Sequence, residues 1–126
     1  MNPRLPLSLV LGLCIGTSAP AAPIDAAVAA YQRGDLAAAR AGFARLSAQR
    51  LPAADYNLAA MHLRRELPHA SQREALRLMT RAAEAGFVTA MVGLAELHES
   101  GQAGLRRDLA QAVLWQRRAA EAGSVE

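Results

Sequence analysis

The run Arg81-Ala82-Ala83-Glu84-Ala85-Gly86 returns as Arg118-Ala119-Ala120-Glu121-Ala122-Gly123, displaced by 37 residues. Repetition at such a period marks a repeat architecture, in which each unit buries its apolar face only by stacking on its neighbours. Carried backward at a spacing of 36, the register pairs Leu58-Ala59 with Leu94-Ala95 and Met61-His62 with Leu97-His98. Ser71 and Ala75 fall on Asp108 and Ala112. One unit earlier, Asp35, Ala39 and Phe43 fall on Ser71, Ala75 and Met79. Three copies of a two-helix unit therefore fill the chain after its leader, the first divergent and the last incomplete.

Each second helix opens with a readable cap. Ser71-Gln72-Arg73-Glu74 and Asp108-Leu109-Ala110-Gln111 fit a capping box, and Asp35 serves the first unit alone. Gly86 and Gly123 stand where a left-handed residue ends a helix. At 100° per residue, Arg73, Glu74, Arg77, Thr80, Arg81 and Glu84 gather on one arc of helix 71–85, which reads as a solvated face. Ala75, Leu76, Leu78, Met79, Ala82 and Ala83 take the other. Helices are expected near 24–33, 36–49, 53–63, 71–85, 88–99 and 108–122.

Composition agrees. Hydrophobic residues form 52% of the 126-residue chain but aromatics only 4%. Alanine dominates, the best helix former and small enough to let backbones approach. β-Branched and aromatic residues, which a sheet would need, are scarce. The class is all-α: an α-solenoid of antiparallel helix pairs preceded by a signal peptide.

The leader is read at residues 1–21. Arg4 gives a positive start, Leu5 to Ile15 an apolar core, and Ala19-Pro20-Ala21 the small residues a signal peptidase needs, with cleavage before Ala22. The apolar run falls short of the ~20 residues that span a bilayer, so no stable membrane insertion is expected after cleavage. Leu13 before Cys14 disfavours a lipidation signal. Residues 22–50 then form a divergent helical hairpin and 51–126 the clearer repeats. The expected location is the periplasm, with full secretion as the alternative. Cys14 is the sole cysteine, so the mature chain has neither a disulfide nor a thiolate site.

All 14 basic residues are Arg, and without the leader 13 Arg stand against 11 acids, a net of +2. That is too thin a basic footprint for nucleic acid. No nucleophile–base pair, phosphate loop or carboxylate cluster emerges, and no cofactor or metal is expected. His62 and His98 occupy equivalent places in successive repeats, roughly one helix-packing distance of 8–10 Å apart, too far to share a zinc ion. His69 lies in a loop without a partner.

The segment His98-Glu99-Ser100-Gly101-Gln102-Ala103-Gly104-Leu105-Arg106-Arg107-Asp108, followed by Ala112, Trp115, Ala119, Ala120 and Gly123, resembles a Sel1-like repeat. Residues 53–86 resemble the same unit, and Tyr31-Gln32-Arg33-Gly34-Asp35 is similar to a tetratricopeptide unit. Ala59 and Ala95 replace a favoured Gly, and His62 and His98 a favoured Tyr. The loop 64–70 lacks glycine, and the loop 100–107 is one residue longer than the family's usual one. The resemblance implies a non-catalytic scaffold or adaptor of the bacterial cell envelope, binding a protein or peptide along a concave groove. The expected groove strip is Thr89, Val92, Gly93 and Glu96 with their register partners Ala53, Tyr56, Asn57 and Ala60. Tyr56, Asn57, Thr89, Val92 and Glu96 are the candidate partner-binding residues, and Trp115 is expected to pack on the first helix of its own unit. Two other roles come with the resemblance: a β-lactam hydrolase, as in cysteine-rich relatives, and a regulatory subunit of an envelope sensor or secretion machine. The first is disfavoured because the mature chain lacks cysteine. Helix 108–122 is expected to leave Ala112, Val113, Ala119 and Ala120 on an uncovered outer face, open to self-association or to further residues.

Overall fold

The computed structural model describes residues 22–123, so the leader expected at 1–21 lies outside the described residues. Six helices follow one another: α1 (Asp25–Gln32), α2 (Leu36–Ala48), α3 (Pro52–Leu63), α4 (Gln72–Glu84), α5 (Val88–Ser100) and α6 (Leu109–Gly123). Every end lies within one residue of its sequence-based expectation. The main helix contacts all run between sequence neighbours, α1 to α2 and onward to α6, giving an α-solenoid of antiparallel pairs. No strand occurs among the described residues.

The caps explain where the second helices start. The side chains of Asp35, Ser71 and Asp108 each accept from the amide three residues on, that of Ala38, Glu74 and Gln111, at 3.1 Å. Each such bond satisfies an amide that the helix itself leaves orphaned, a contribution of about 1 kcal/mol. The reciprocal half of the capping box is replaced. The Ser71 amide donates to His62 Nδ1, and the Asp108 amide to the His98 carbonyl.

One turn recurs at the helix ends. Phe87 N–H donates to Ala82 O and Gly86 N–H to Ala83 O, with Gly86 at φ +95°. The same pair of bonds closes α1 around Gly34, α2 around Arg50 and α3 around Arg65. Arg50 and Arg65 hold φ of 65° and 58°, a left-handed backbone in which a side chain is strained. Gly123 does not play the expected role: it is itself helical, within α6.

Two apolar clusters hold the array. Ala27, Ala30, Ala39, Phe43 and Met61 join α1 and α2 to α3. Ala59, Leu78, Met79, Met91, Leu94, Leu97, Trp115 and Ala119 belong to the larger cluster, which runs from α3 to α6. Leu58 packs against both. Alanines 39, 54, 59, 75, 82, 90 and 95 are fully buried, so the helices meet nearly backbone to backbone. The approach is tightest at Gly42, where a Cβ would stand 2.8 Å from that of Ala27.

Helix α6 corrects one expectation. Ala112 and Ala119 face inward at 3% and 7% exposure, whereas Leu109 and Val113 are each 51% exposed. Ala120 is exposed beside them, so the outer face is built by Leu109, Val113 and Ala120.

Candidate functional site

The first helices of the two clear repeats, α3 and α5, border a groove of about 390 Å³. From α3 come Tyr56, Ala60 and Leu63, spaced as one stripe of a helix. From α5 come Gly93, Glu96, Leu97 and Ser100, again one stripe; Met79 of α4 supplies the floor, with Arg64 and Gln102 at the rim. Gly93 shapes the middle. A Cβ there would lie 3.1 Å from Met79 Sδ and 3.7 Å from the Tyr56 ring, so its absence leaves a notch over an adaptable thioether. Tyr56 is half-buried and leans on Phe87, ring centroids 5.8 Å apart at 53°.

The sequence-based candidates divide here. Tyr56 and Glu96 line the groove together. Asn57 turns its amide to the Ala53 carbonyl at 2.8 Å. Thr89 and Val92 are exposed on α5, Val92 at 41%, but do not line the groove. Gly93, expected on the same strip, lines the groove as well. Met79 and Arg64 were missed as lining residues.

Beside Tyr56 stands a charged clamp. Arg81 of α4 donates from Nε and an Nη to the two Asp55 oxygens, at 2.7 and 2.6 Å. The same Nη reaches the Ser47 carbonyl and hydroxyl at 3.0 Å, and the Ser47 hydroxyl donates to Asp55. Three helices, α2, α3 and α4, meet in this knot. The hydrogen bond to Asp55 raises the Arg81 pKa above its ordinary value. Arg81 thus leaves the solvated stripe that its periodicity assigned it. Arg77 stays there, paired with Glu74 on its own helix, and that bond holds the Glu74 carboxyl below its usual range. A second tie fixes the N-terminal hairpin: Tyr31 donates to Glu66 at 2.8 Å and accepts from Arg64 at 2.9 Å.

The equivalent histidines behave differently. His62 Nδ1 accepts the Ser71 amide at 3.0 Å, which places the neutral ring's proton on Nε2. His98 Nδ1 is buried without a partner among the described residues. Burial lowers the His62 pKa, against a smaller opposing pull from Glu74. As pH falls, the unfolded chain therefore takes up this proton before the folded one. The His62 contribution is present above about pH 6.5 and drains away below it. Urea midpoints should fall between about pH 7.5 and 5.5, and fall less in His62→Gln, whose slope lacks this proton. An identical slope in the two proteins would remove His62 from the account. Among the described residues no group of three or more His, Cys, Asp or Glu is placed to hold a metal ion.

The helix pairs α3–α4 and α5–α6, with their buried alanines and capped second helices, coincide with the two stretches matched by the Sel1 repeat model, residues 52–87 and 88–124. Together these cover more than half of the chain. The chain belongs to the Sel1 repeat family. Sel1 repeats are generally protein–protein interaction modules, and their helical fold is typically a non-catalytic scaffold. No curated protein and no solved structure matches the chain.

The two Sel1 repeats differ most in the loop between their helices. The second loop bends through Gly101, Ala103 and Gly104, all at positive φ, and Arg107 donates to the Glu99 carbonyl at 3.0 Å. A Cβ on Gly101 would come within 3.2 Å of the Arg107 amide, so that bend needs glycine. The spacing from His62 to Ser71 is one residue shorter than that from His98 to Asp108, and the first loop closes on the His62 ring instead of a helix-end carbonyl.

Proposed function

We propose that this chain is a non-catalytic adaptor of the bacterial cell envelope that holds a peptide segment of a partner protein in the α3–α5 groove. The carrying observation is the joint lining of that groove by Tyr56, Met79, Gly93 and Glu96: an apolar floor with a notch, under a polar rim. A buried aromatic anchor surrounded by polar edges is the usual anatomy of a binding hot spot. The floor favours a segment with one large apolar side chain seated at Gly93, its backbone crossing between Arg64 and Glu96. The envelope reading is supported by the leader-like residues 1–21, and no described helix is long and apolar enough to cross a membrane. Cell fractionation of the full chain should find it outside the cytoplasm with Ala22 as its first residue. Recovery of uncleaved cytoplasmic protein would end that part of the reading.

Selection from a random peptide library tests the groove. Selected peptides should bind Tyr56→Ala and Gly93→Leu at least about 10-fold more weakly, the loss expected of a hot-spot contact. Tyr56 also packs on Phe87, so Gly93→Leu is the cleaner arm. It fills the notch, and leucine favours helix over glycine by several tenths of a kcal/mol. A Gly93→Leu protein that keeps its helicity and binds the selected peptides unchanged would place recognition elsewhere.

A further inference from the structure

On α3, positions 58 and 62 lie roughly 200–240° around the helix from Tyr56, so they serve the face opposite the groove. There a second concavity of about 470 Å³ is lined by Arg40, Ala44, Leu58, His62, Leu67, Pro68 and His69. Its size lies within the range of small-molecule sites. Its walls are Ala44, Leu58, Leu67 and Pro68, drawn from α2, α3 and the loop after α3. Its polar members are one guanidinium and two imidazoles, and no carboxylate lines it. Arg40 makes no hydrogen bond or ion pair among the described residues, leaving five donors unspent. His62 adds a donor, because the Ser71 amide occupies Nδ1 and leaves the proton on Nε2. The acid acting on His62, Glu74, is engaged by Arg77 and does not line the pocket.

We infer that this pocket binds an aliphatic carboxylate, with the carboxyl group on Arg40 and the hydrocarbon against Leu58, Leu67 and Pro68. The charge is complementary, and an Arg fork matches a carboxylate in two parallel bonds. A peptide fits less well, because its amides would need acceptors and the lining side chains offer no amide, hydroxyl or carboxylate. A free acid has its polarity at one end only, as the pocket has.

The test is an NMR titration of the full mature chain with octanoate, octan-1-ol and octylamine, and with a short peptide ending in leucine. Octanoate should shift the resonances of Ala44, Leu58 and Leu67 and saturate. The alcohol and the amine should bind at least about 10-fold more weakly. Arg40→Gln should weaken octanoate by a similar factor and Arg40→Lys should restore part of it, since the charge returns without the fork. Arg40 is exposed, so neither substitution disturbs the core. Equal binding of the alcohol, indifference to Arg40→Gln, or tighter binding of the peptide than of octanoate would each overturn the assignment. So would shifts confined to Tyr56 and Gly93, which would point to the groove.

Discussion

Arg81→Ala is expected to destabilise the protein by about 3–5 kcal/mol, and to cost more than Asp55→Ala. The asymmetry follows from exposure: the Asp55 side chain is 2% exposed and that of Arg81 27%. Removing the guanidinium leaves a carboxylate inside the protein with Ser47 as its one remaining partner. Removing the carboxylate leaves a cation that can swing toward water. At roughly 4–8 °C per kcal/mol for a domain of this size, Arg81→Ala should lower the melting temperature by at least about 12 °C. Replacing both residues by leucine should cost less than Arg81→Ala alone, because no buried charge is then unpaired. Urea denaturation at neutral pH of the two single variants and the double variant measures all three. A loss below about 1 kcal/mol for Arg81→Ala would reduce the clamp to an ordinary surface ion pair. The clamp also concerns binding, since Asp55 precedes Tyr56 and ties the start of α3 to α2 and α4.

How the helices pair was legible because alanine spacing and capping residues are local signals, and the fold obeys them within one residue at each end. Arg81 shows where that legibility stops. On a helical wheel it belongs with Arg73 and Arg77, yet its guanidinium reaches across to Asp55, 26 residues away. A wheel describes the Cβ direction and not the reach of a long side chain. Arg50 and Arg65 were hidden for a different reason. Their left-handed turns are imposed by the packing of the next helix, where Gly86 advertises the same turn in its identity. For the groove, placing Tyr56 and Glu96 together needed only the repeat register. That Thr89 and Val92 fall outside the groove's lining depends on the three-dimensional placement of α5, which no spacing encodes.

Trp115→Ala should remove about 3–5 kcal/mol of packing, yet not unfold the whole chain. Trp115 is 7% exposed and sits in the larger cluster with Met91, Leu94 and Ala95 of α5, as expected of a residue that packs within its own repeat. Arg118 lies over its ring at 4.8 Å, an additional cation–π contact that the variant loses. Helix α6 has its substantial contacts with α5 alone, whereas α3, α4 and α5 each pack between two helices. In a solenoid, stability is close to a sum of unit and nearest-neighbour terms, so damage in α6 passes inward only through its contact with α5. Hydrogen exchange should therefore speed up across 109–123 while the amides of α3 and α4 keep their protection. Arg81→Ala, placed between inner helices, should instead accelerate exchange from α2 through α5. Uniform acceleration in the Trp115 variant would mean that the array unfolds as one unit, and that α6 holds the groove helix α5 in place more firmly than neighbour contacts alone require.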